Sequence, residues 1–163
     1  MSLTELPFGL PGNIFRSPMP FGSYDPEGKS YFEFKEKKIS VIVLLAEDNE
    51  CLLKAGRNLR SLYLQEGFKV IYLPVRDFSI PSTEELEDYK SALEITCELA
   101  RRGHHIAIHC SAGIGRTGMF AACLAKKIFS LSGEEAINWI RQYIPGAVET
   151  PEQKHLVIYL QVG

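Results

Sequence analysis

The sequence predicts an α/β domain of three layers, a mainly parallel central sheet flanked by helices. Three observations carry that reading. Residues 39–45 form an almost unbroken β-branched run, the composition of a strand buried on both faces. Short runs of this kind alternate with longer stretches of helical periodicity, and a strand–helix–strand unit implies a right-handed crossover between parallel neighbours. The apolar run 106–109 stops at a turn of small residues and leads into a helical segment, the kind of junction where open α/β sheets bind ligands.

At 163 residues the chain reads as one domain, 1–163, with residues 1–12 as an irregular lead-in. A core of that size needs no disulfide or metal staple. A composition of 45% apolar and 23% charged residues excludes a disordered chain. The net charge of −2 gives no basic footprint, so no nucleic-acid partner is expected. No apolar run is long enough to span a bilayer, and residues 1–13 lack the basic and apolar regions of a secretion signal. The cysteines Cys51, Cys97, Cys110 and Cys123 are spaced 46, 13 and 13 residues apart, with no CxxC pair. Neither a metal site nor a secreted disulfide framework is expected from that spacing.

In chain order, Pro7, Pro11 and Gly12 break residues 1–12. Residues 13–17 suit a short strand and 18–23 a loop. Residues 24–38 are compatible with a helix or a ribbon, with Tyr31 and Phe34 as packing residues. After the strand at 39–45 and a turn at 46–50, Leu52, Leu53, Leu59, Leu62, Tyr63 and Leu64 suggest one helix ending at Gly67. Residues 68–75 form the next strand, and 74–82 a loop. Ser82 or Thr83 caps the following helix, and Glu84, Glu85 and Glu87 fall in its first turns, where the dipole favours them. That helix shows its apolar face at or near Tyr89, Leu93, Ile95, Thr96 and Leu99 and ends near Arg102. A helix at 119–129 follows the small-residue turn. Ser132 caps the next, and Thr150 with Pro151 opens the last.

The chemistry concentrates in residues 109–118, His-Cys-Ser-Ala-Gly-Ile-Gly-Arg-Thr-Gly. Cys110 stands where strand becomes loop, and Arg116 where loop becomes helix. The amides of Ser111, Ala112, Gly113, Ile114, Gly115 and Arg116, with the helix N-terminus, make an anion cradle. The same positive field favours a thiolate at Cys110. The planar fork of Arg116 suits two oxygens of a tetrahedral oxyanion. A nucleophile and a phosphate cradle in one loop imply phosphoryl transfer to sulfur. Expelling an alkoxide or phenoxide then needs a proton donor. Asp77 is the candidate, in a loop after a strand and 33 residues before Cys110. Glu84, Glu85 and Asp88 are weaker rivals on the following helix.

The run His-Cys-x5-Arg-Thr-Gly resembles the signature loop of the cysteine-dependent protein tyrosine and dual-specificity phosphatases. The resemblance implies the cysteine-phosphatase fold and hydrolysis of protein phosphomonoesters through a cysteinyl-phosphate, with no cofactor. It implies that Asp77 is acid and then base, that the Thr117 hydroxyl bonds to the sulfur, and that His109 orders the loop. Residues 145–153 resemble the glutamine-bearing loop that orients the hydrolytic water in tyrosine phosphatases. Glu149 stands where the first glutamine falls, which leaves Gln153 or Glu149 to position the water, with Gln153 the first choice. No counterpart of the phosphotyrosine-recognition loop is evident, which implies a shallow pocket open to phosphoserine and phosphothreonine as well as phosphotyrosine. The loop interior lacks lysine, which argues against a polyanionic lipid or inositol substrate. Three alternatives stand beside this reading: a phosphatase for phosphoinositide, sugar phosphate or RNA 5′-phosphate, a phosphoprotein-binding pseudophosphatase, and a redox protein pairing Cys110 with another cysteine. The expected partner is a phosphoprotein substrate, with no membrane. A thiolate nucleophile implies the reducing cytoplasm.

Overall fold

The computed structural model describes residues 2–163. Five strands form one sheet: β1 (Thr4–Leu6), β2 (Ile14–Ser17), β3 (Val41–Leu44), β4 (Lys69–Tyr72) and β5 (Ile106–His109), in the order β1-β2-β5-β3-β4. All pairings are parallel except β1 with β2. The expected mainly parallel sheet is present, and β5 lies at its centre.

Alternation along the strands sorts the side chains into two cores. Val41, Val43, Ile106 and Ile108 face one way, while Ile42, Leu44 and Ala107 face the other. The first face packs against α4 (Leu86–Arg101), α5 (Gly115–Phe129), α6 (Gly133–Arg141) and α7 (Pro151–Tyr159). The second packs against α1 (Lys29–Glu36), α2 (Asp48–Ala55) and α3 (Leu59–Gln65). The three layers follow from a sheet that must bury both faces.

Several elements depart from the sequence reading. Residues 1–12 are not wholly irregular, because Thr4–Leu6 pairs with β2 and buries Leu6. Three residues are too few to show a period, so only the pairing reveals the strand. The single helix expected through Leu52 and Leu64 is two. Gly56 ends α2 in the left-handed conformation (φ 70°), and the Asn58 side chain caps α3 by accepting from Ser61 N–H at 2.9 Å. Residues 24–38 resolve into α1, whose first amides donate to the Asp25 carboxylate. A short 3₁₀ turn (Thr83–Glu85) precedes α4, with Ser82 and Glu85 forming a reciprocal cap. The helix after the cysteine loop starts at Gly115 rather than Met119, so Arg116 and Thr117 lie in its first turn.

Candidate active site

Strand β5 ends at His109 and delivers Cys110 to the start of the 110–115 loop. Arg16 on β2 shapes that loop. Its Nη2 donates to the Ala112 carbonyl at 2.8 Å and its Nε to the Gly113 carbonyl at 3.1 Å. In a trans peptide the N–H points opposite the carbonyl, so the Gly113 and Ile114 amides turn away from Arg16 into the loop's interior. Gly113 adopts φ 79°, and a Cβ there would collide with Arg16 and the Ser17 carbonyl. The first helical bond of α5 runs from Gly118 N–H to the Ile114 carbonyl at 2.8 Å, which leaves the preceding amides free at the helix N-terminus.

Cys110 is 3% exposed, and its Sγ accepts from the Thr117 hydroxyl at 3.1 Å. Behind it His109 is fully buried, with Nδ1 3.0 Å from the Cys110 carbonyl and Nε2 2.8 Å from the Tyr63 hydroxyl. A carbonyl only accepts, so Nδ1 carries the proton and Nε2 accepts from Tyr63. Burial pushes the imidazole down to about 4, so the ring is neutral at physiological pH.

Arg116 is 1% exposed and is the most heavily bonded group of the site. Its Nη1 and Nη2 grip the two Glu50 oxygens at 2.8 and 2.7 Å, Nη1 also donates to the Val75 carbonyl at 2.8 Å, and Nη2 lies 3.1 Å from Asp77 Oδ1. Its Nε–H, though buried, has no partner among the described residues. Burial alone would lower its pKa, but Glu50, Cys110 and Asp77 outweigh that and raise it. Cys110, Ser111, Gly115 and Arg116 floor a cleft of about 270 Å³, walled by Tyr24, Lys54, Asp77, Phe78 and Glu149. An oxyanion above the sulfur would meet the loop amides with the Arg116 guanidinium beside it, while a carboxyl waits at the rim. That donor set fits displacement at phosphorus.

Comparison with known proteins decides the class. A family model described as "Polymorphic toxin system, DSP-PTPase phosphatase" matches residues 20–128. The chain belongs to this DSP-PTPase phosphatase family. The chain is 34% identical to the tyrosine-protein phosphatase cdc-14 of Caenorhabditis elegans over 128 residues, 78% of this chain and 16% of that protein. It spans less than a third of the length of the curated relatives it matches. Among solved structures, Tk-PTP in its active form is 27% identical, with a TM-score of 0.75 over 94% of this chain and 93% of that one. Kinase associated phosphatase shares the fold at 22% identity, with a TM-score of 0.83 over 95% of this chain and 90% of that one.

Most of the residues singled out in the sequence come together: Cys110, Arg116, Thr117, Asp77, His109 and the 111–116 loop. Gln153 does not line the cleft. It is fully buried, its Oε1 accepts from the Glu149 and Thr150 amides at 2.9 and 3.3 Å, and its Nε2 donates to the Ser79 carbonyl at 3.2 Å. Both ends of the amide are spent on capping α7 and tying it to the Asp77 segment. Glu149 faces the cleft instead. Its carboxylate lies against Gly115, where any Cβ would displace it, and partial burial and the Asp77 charge raise its pKa against the pull of Arg116.

Four contributors escaped the sequence reading: Arg16, Tyr24, Glu50 and Lys54. Lys54 Nζ bonds Glu50 Oε2 at 2.9 Å and Ser111 Oγ at 3.1 Å, and lies 3.4 Å from Asp77 Oδ2. Glu50 and Lys54 are an i,i+4 pair, the one local signal available, but only the fold brings α2 beside the loop. Tyr24 and Phe78 are 66% and 62% exposed and both line the cleft. Phe78 sits in a turn closed by Ser79 N–H to the Arg76 carbonyl at 3.0 Å, with φ 60°. The other cysteines are free and buried, and burial pushes Cys51 and Cys123 up to about 12, unreactive values.

Proposed function

We propose that this phosphatase hydrolyses protein phosphomonoesters, phosphotyrosine foremost, through a cysteinyl-phosphate. The observation that carries this is the Cys110 sulfur, bonded by Thr117, beside the buried Arg116 on the floor of the cleft. In the first step the Cys110 thiolate attacks phosphorus, the ester P–O bond breaks, and Asp77 protonates the departing oxygen. The loop amides and Arg116 carry the charge of the transferring phosphoryl group. In the second step water attacks phosphorus, the S–P bond breaks, and the water's proton passes to a rim carboxylate. The Thr117 hydroxyl stabilises the thiolate as it leaves. His109 takes no proton and orders the loop from behind.

Tyr24 and Phe78 support an aryl substrate, because aromatic side chains at the cleft rim pack against a phenyl ring. Phosphoserine and phosphothreonine remain slower substrates in this reading, and the partner is a phosphoprotein. One sheet serves both helical layers, which supports taking residues 1–163 as a single domain. No described helix is long and apolar enough to cross a membrane. A reactive thiol works only while reduced, which fits the cytoplasm.

Lys54 favours a second reading. The loop has no lysine of its own, yet Lys54 reaches Ser111 from α2, and a second cation suits a polyanionic phosphate such as a phosphoinositide. A panel of phosphotyrosine, phosphoserine and phosphothreonine peptides, phosphoinositides, sugar phosphates and triphosphorylated RNA, assayed in chelator, separates the two. We expect the phosphotyrosine peptide to be turned over fastest and Cys110→Ser to abolish turnover. Turnover by Cys110→Ser would exclude the thiolate route. Asp77→Asn should slow alkyl phosphates more than activated aryl phosphates, and equal losses would remove Asp77 as the acid.

A further inference from the structure

The segment that presents Glu149 is built like the cysteine loop. Arg141, the last residue of α6, donates from Nε to the Ala147 carbonyl at 2.8 Å and from Nη2 to the Val148 carbonyl at 3.0 Å. Arg16 grips Ala112 and Gly113 in the same way, by two consecutive carbonyls. In both pairs the second residue has a positive φ, 79° at Gly113 and 62° at Val148. Glycine adopts that conformation freely. For a β-branched residue it is a strained outlier, and it persists only where the surroundings enforce it.

The strain has a use. Ala147 packs on Gly118 in the first turn of α5, so closely that a Cβ on Gly118 would collide with it. The turn at the buried Val148 then brings the next side chain over the start of the same helix, where the Glu149 carboxylate covers Gly115. Were Val148 to relax to an extended φ, the chain beyond it would swing round and Glu149 would leave the cleft.

We propose that Arg141 is a positioning residue for the second step: its fork locks Val148 in the left-handed conformation and so keeps the Glu149 carboxylate over the phosphate cradle. The assignment rests on the reading in which a rim carboxylate takes the water's proton, and it names Glu149 as that carboxylate. Arg141 does not line the cleft and acts only through the backbone it holds. A lysine cannot replace it, because a single ammonium lacks the planar fork that spans two carbonyls. Arg141 is itself exposed, so its substitution leaves the core intact.

The first test reads position without turnover. Partial burial and Asp77 hold the Glu149 pKa above the ordinary carboxylate range, against the pull of Arg116. A side-chain carbon NMR titration of the full chain should show that pKa falling toward the ordinary range in Arg141→Ala and Arg141→Lys, as the carboxylate swings into solvent. Mere loss of a neighbouring cation in Arg141→Ala would push it up instead. Cys110, Asp77, Arg116 and Lys54, the charged and titratable groups that share the cleft with it, are the same in all three proteins. The second test reads the reaction. With p-nitrophenyl phosphate both variants should slow dephosphorylation about tenfold and show a phenol burst, with the burst rate itself little changed. Arg141→Ala combined with Glu149→Gln should be no slower than Glu149→Gln alone, because Arg141 acts only through Glu149. An unmoved Glu149 pKa, full rescue by lysine, or additive losses in the double variant overturns the assignment. Absence of a burst in Glu149→Gln alone overturns Glu149 as the base, and with it the part of Arg141 in the reaction. The titration decides separately whether Arg141 places the carboxylate, so the two failures are distinguishable.

Discussion

Glu50 and Arg116 form a two-pronged ion pair that orients the guanidinium before any substrate arrives, with N–O distances of 2.8 and 2.7 Å. The pair takes one N–H from each terminal nitrogen of Arg116, Nη1 gives its other to the Val75 carbonyl, and the Nε–H has no partner among the described residues. Lys54 and Asp77 extend it into a chain of alternating charge across the cleft.

Removing Glu50 should therefore leave a buried cation short of its main partner. We expect Glu50→Ala to cost about 3 kcal/mol, the lower end for breaking a buried pair, because Asp77 remains. Inorganic phosphate should restore more stability to Glu50→Ala than to the native chain, since the anion replaces the lost charge. Thermal melts with and without phosphate test this, and equal phosphate shifts in both proteins would count against it. The pH sign follows from the same pair. Burial opposes ionisation of Glu50, but Arg116 and Lys54 outweigh it and lower its pKa. Its contribution is present above the ordinary carboxylate range of about 4.3 and is lost as pH falls below that.

His109 gives a second pH dependence at a higher window. Its folded pKa of about 4 lies below the unfolded value of about 6.5. Between the two, the unfolded chain binds the extra proton, so stability falls as pH drops from about 6.5 to about 4. The full effect is of order 3 kcal/mol for this fully buried ring. His109→Gln, read by urea unfolding at several pH values, should flatten that slope. An unchanged slope would mean that the ring is not held neutral between Tyr63 and the Cys110 carbonyl.

Arg16 acts on the cradle from outside. Its fork fixes two consecutive carbonyls, and so two inward amides, through geometry that a lysine cannot copy. We expect Arg16→Lys and Arg16→Ala to weaken vanadate binding alike, by about tenfold, the loss of one to two bonds to a charged group. Rescue by lysine would show that Arg16 supplies charge rather than loop shape.

The sheet and the cysteine loop were legible because their signals are local. Ile39 to Leu45 can hardly be anything but a buried strand, and Cys110 to Thr117 carries nucleophile, cradle and hydroxyl within eight positions. The α2–α3 break was also written locally, in Gly56 and Asn58, but a run of leucines masked it. Arg16, Glu50 and Lys54 were not legible, because each meets the loop across 57 to 97 residues of chain. Gln153 carried two readings, water holder and helix cap. Its capping role is local and visible at Thr150-Pro151, and it consumes the very side chain that the resemblance assigned to water.

That capping role makes Glu149, not Gln153, the group to test in the second step. Its carboxylate lies against Gly115 at the cleft, whereas the Gln153 amide is spent on α7 and Ser79. If Glu149 takes the water's proton, Glu149→Gln should slow dephosphorylation by about 100-fold, within the usual range for a general base. Cysteinyl-phosphate would then accumulate, and p-nitrophenyl phosphate would show a burst of one phenol per enzyme. Gln153→Ala loosens the Asp77 segment instead and should slow the first step, with no burst. The raised pKa of Glu149 fixes the sign of the pH effect. A base must be ionised, so the second step gains rate as pH rises through a value above the ordinary carboxylate range, and Glu149→Gln should lose that limb. Burst-free, undiminished turnover in Glu149→Gln would return the water to another group, with Asp77 the nearest carboxylate across the cleft.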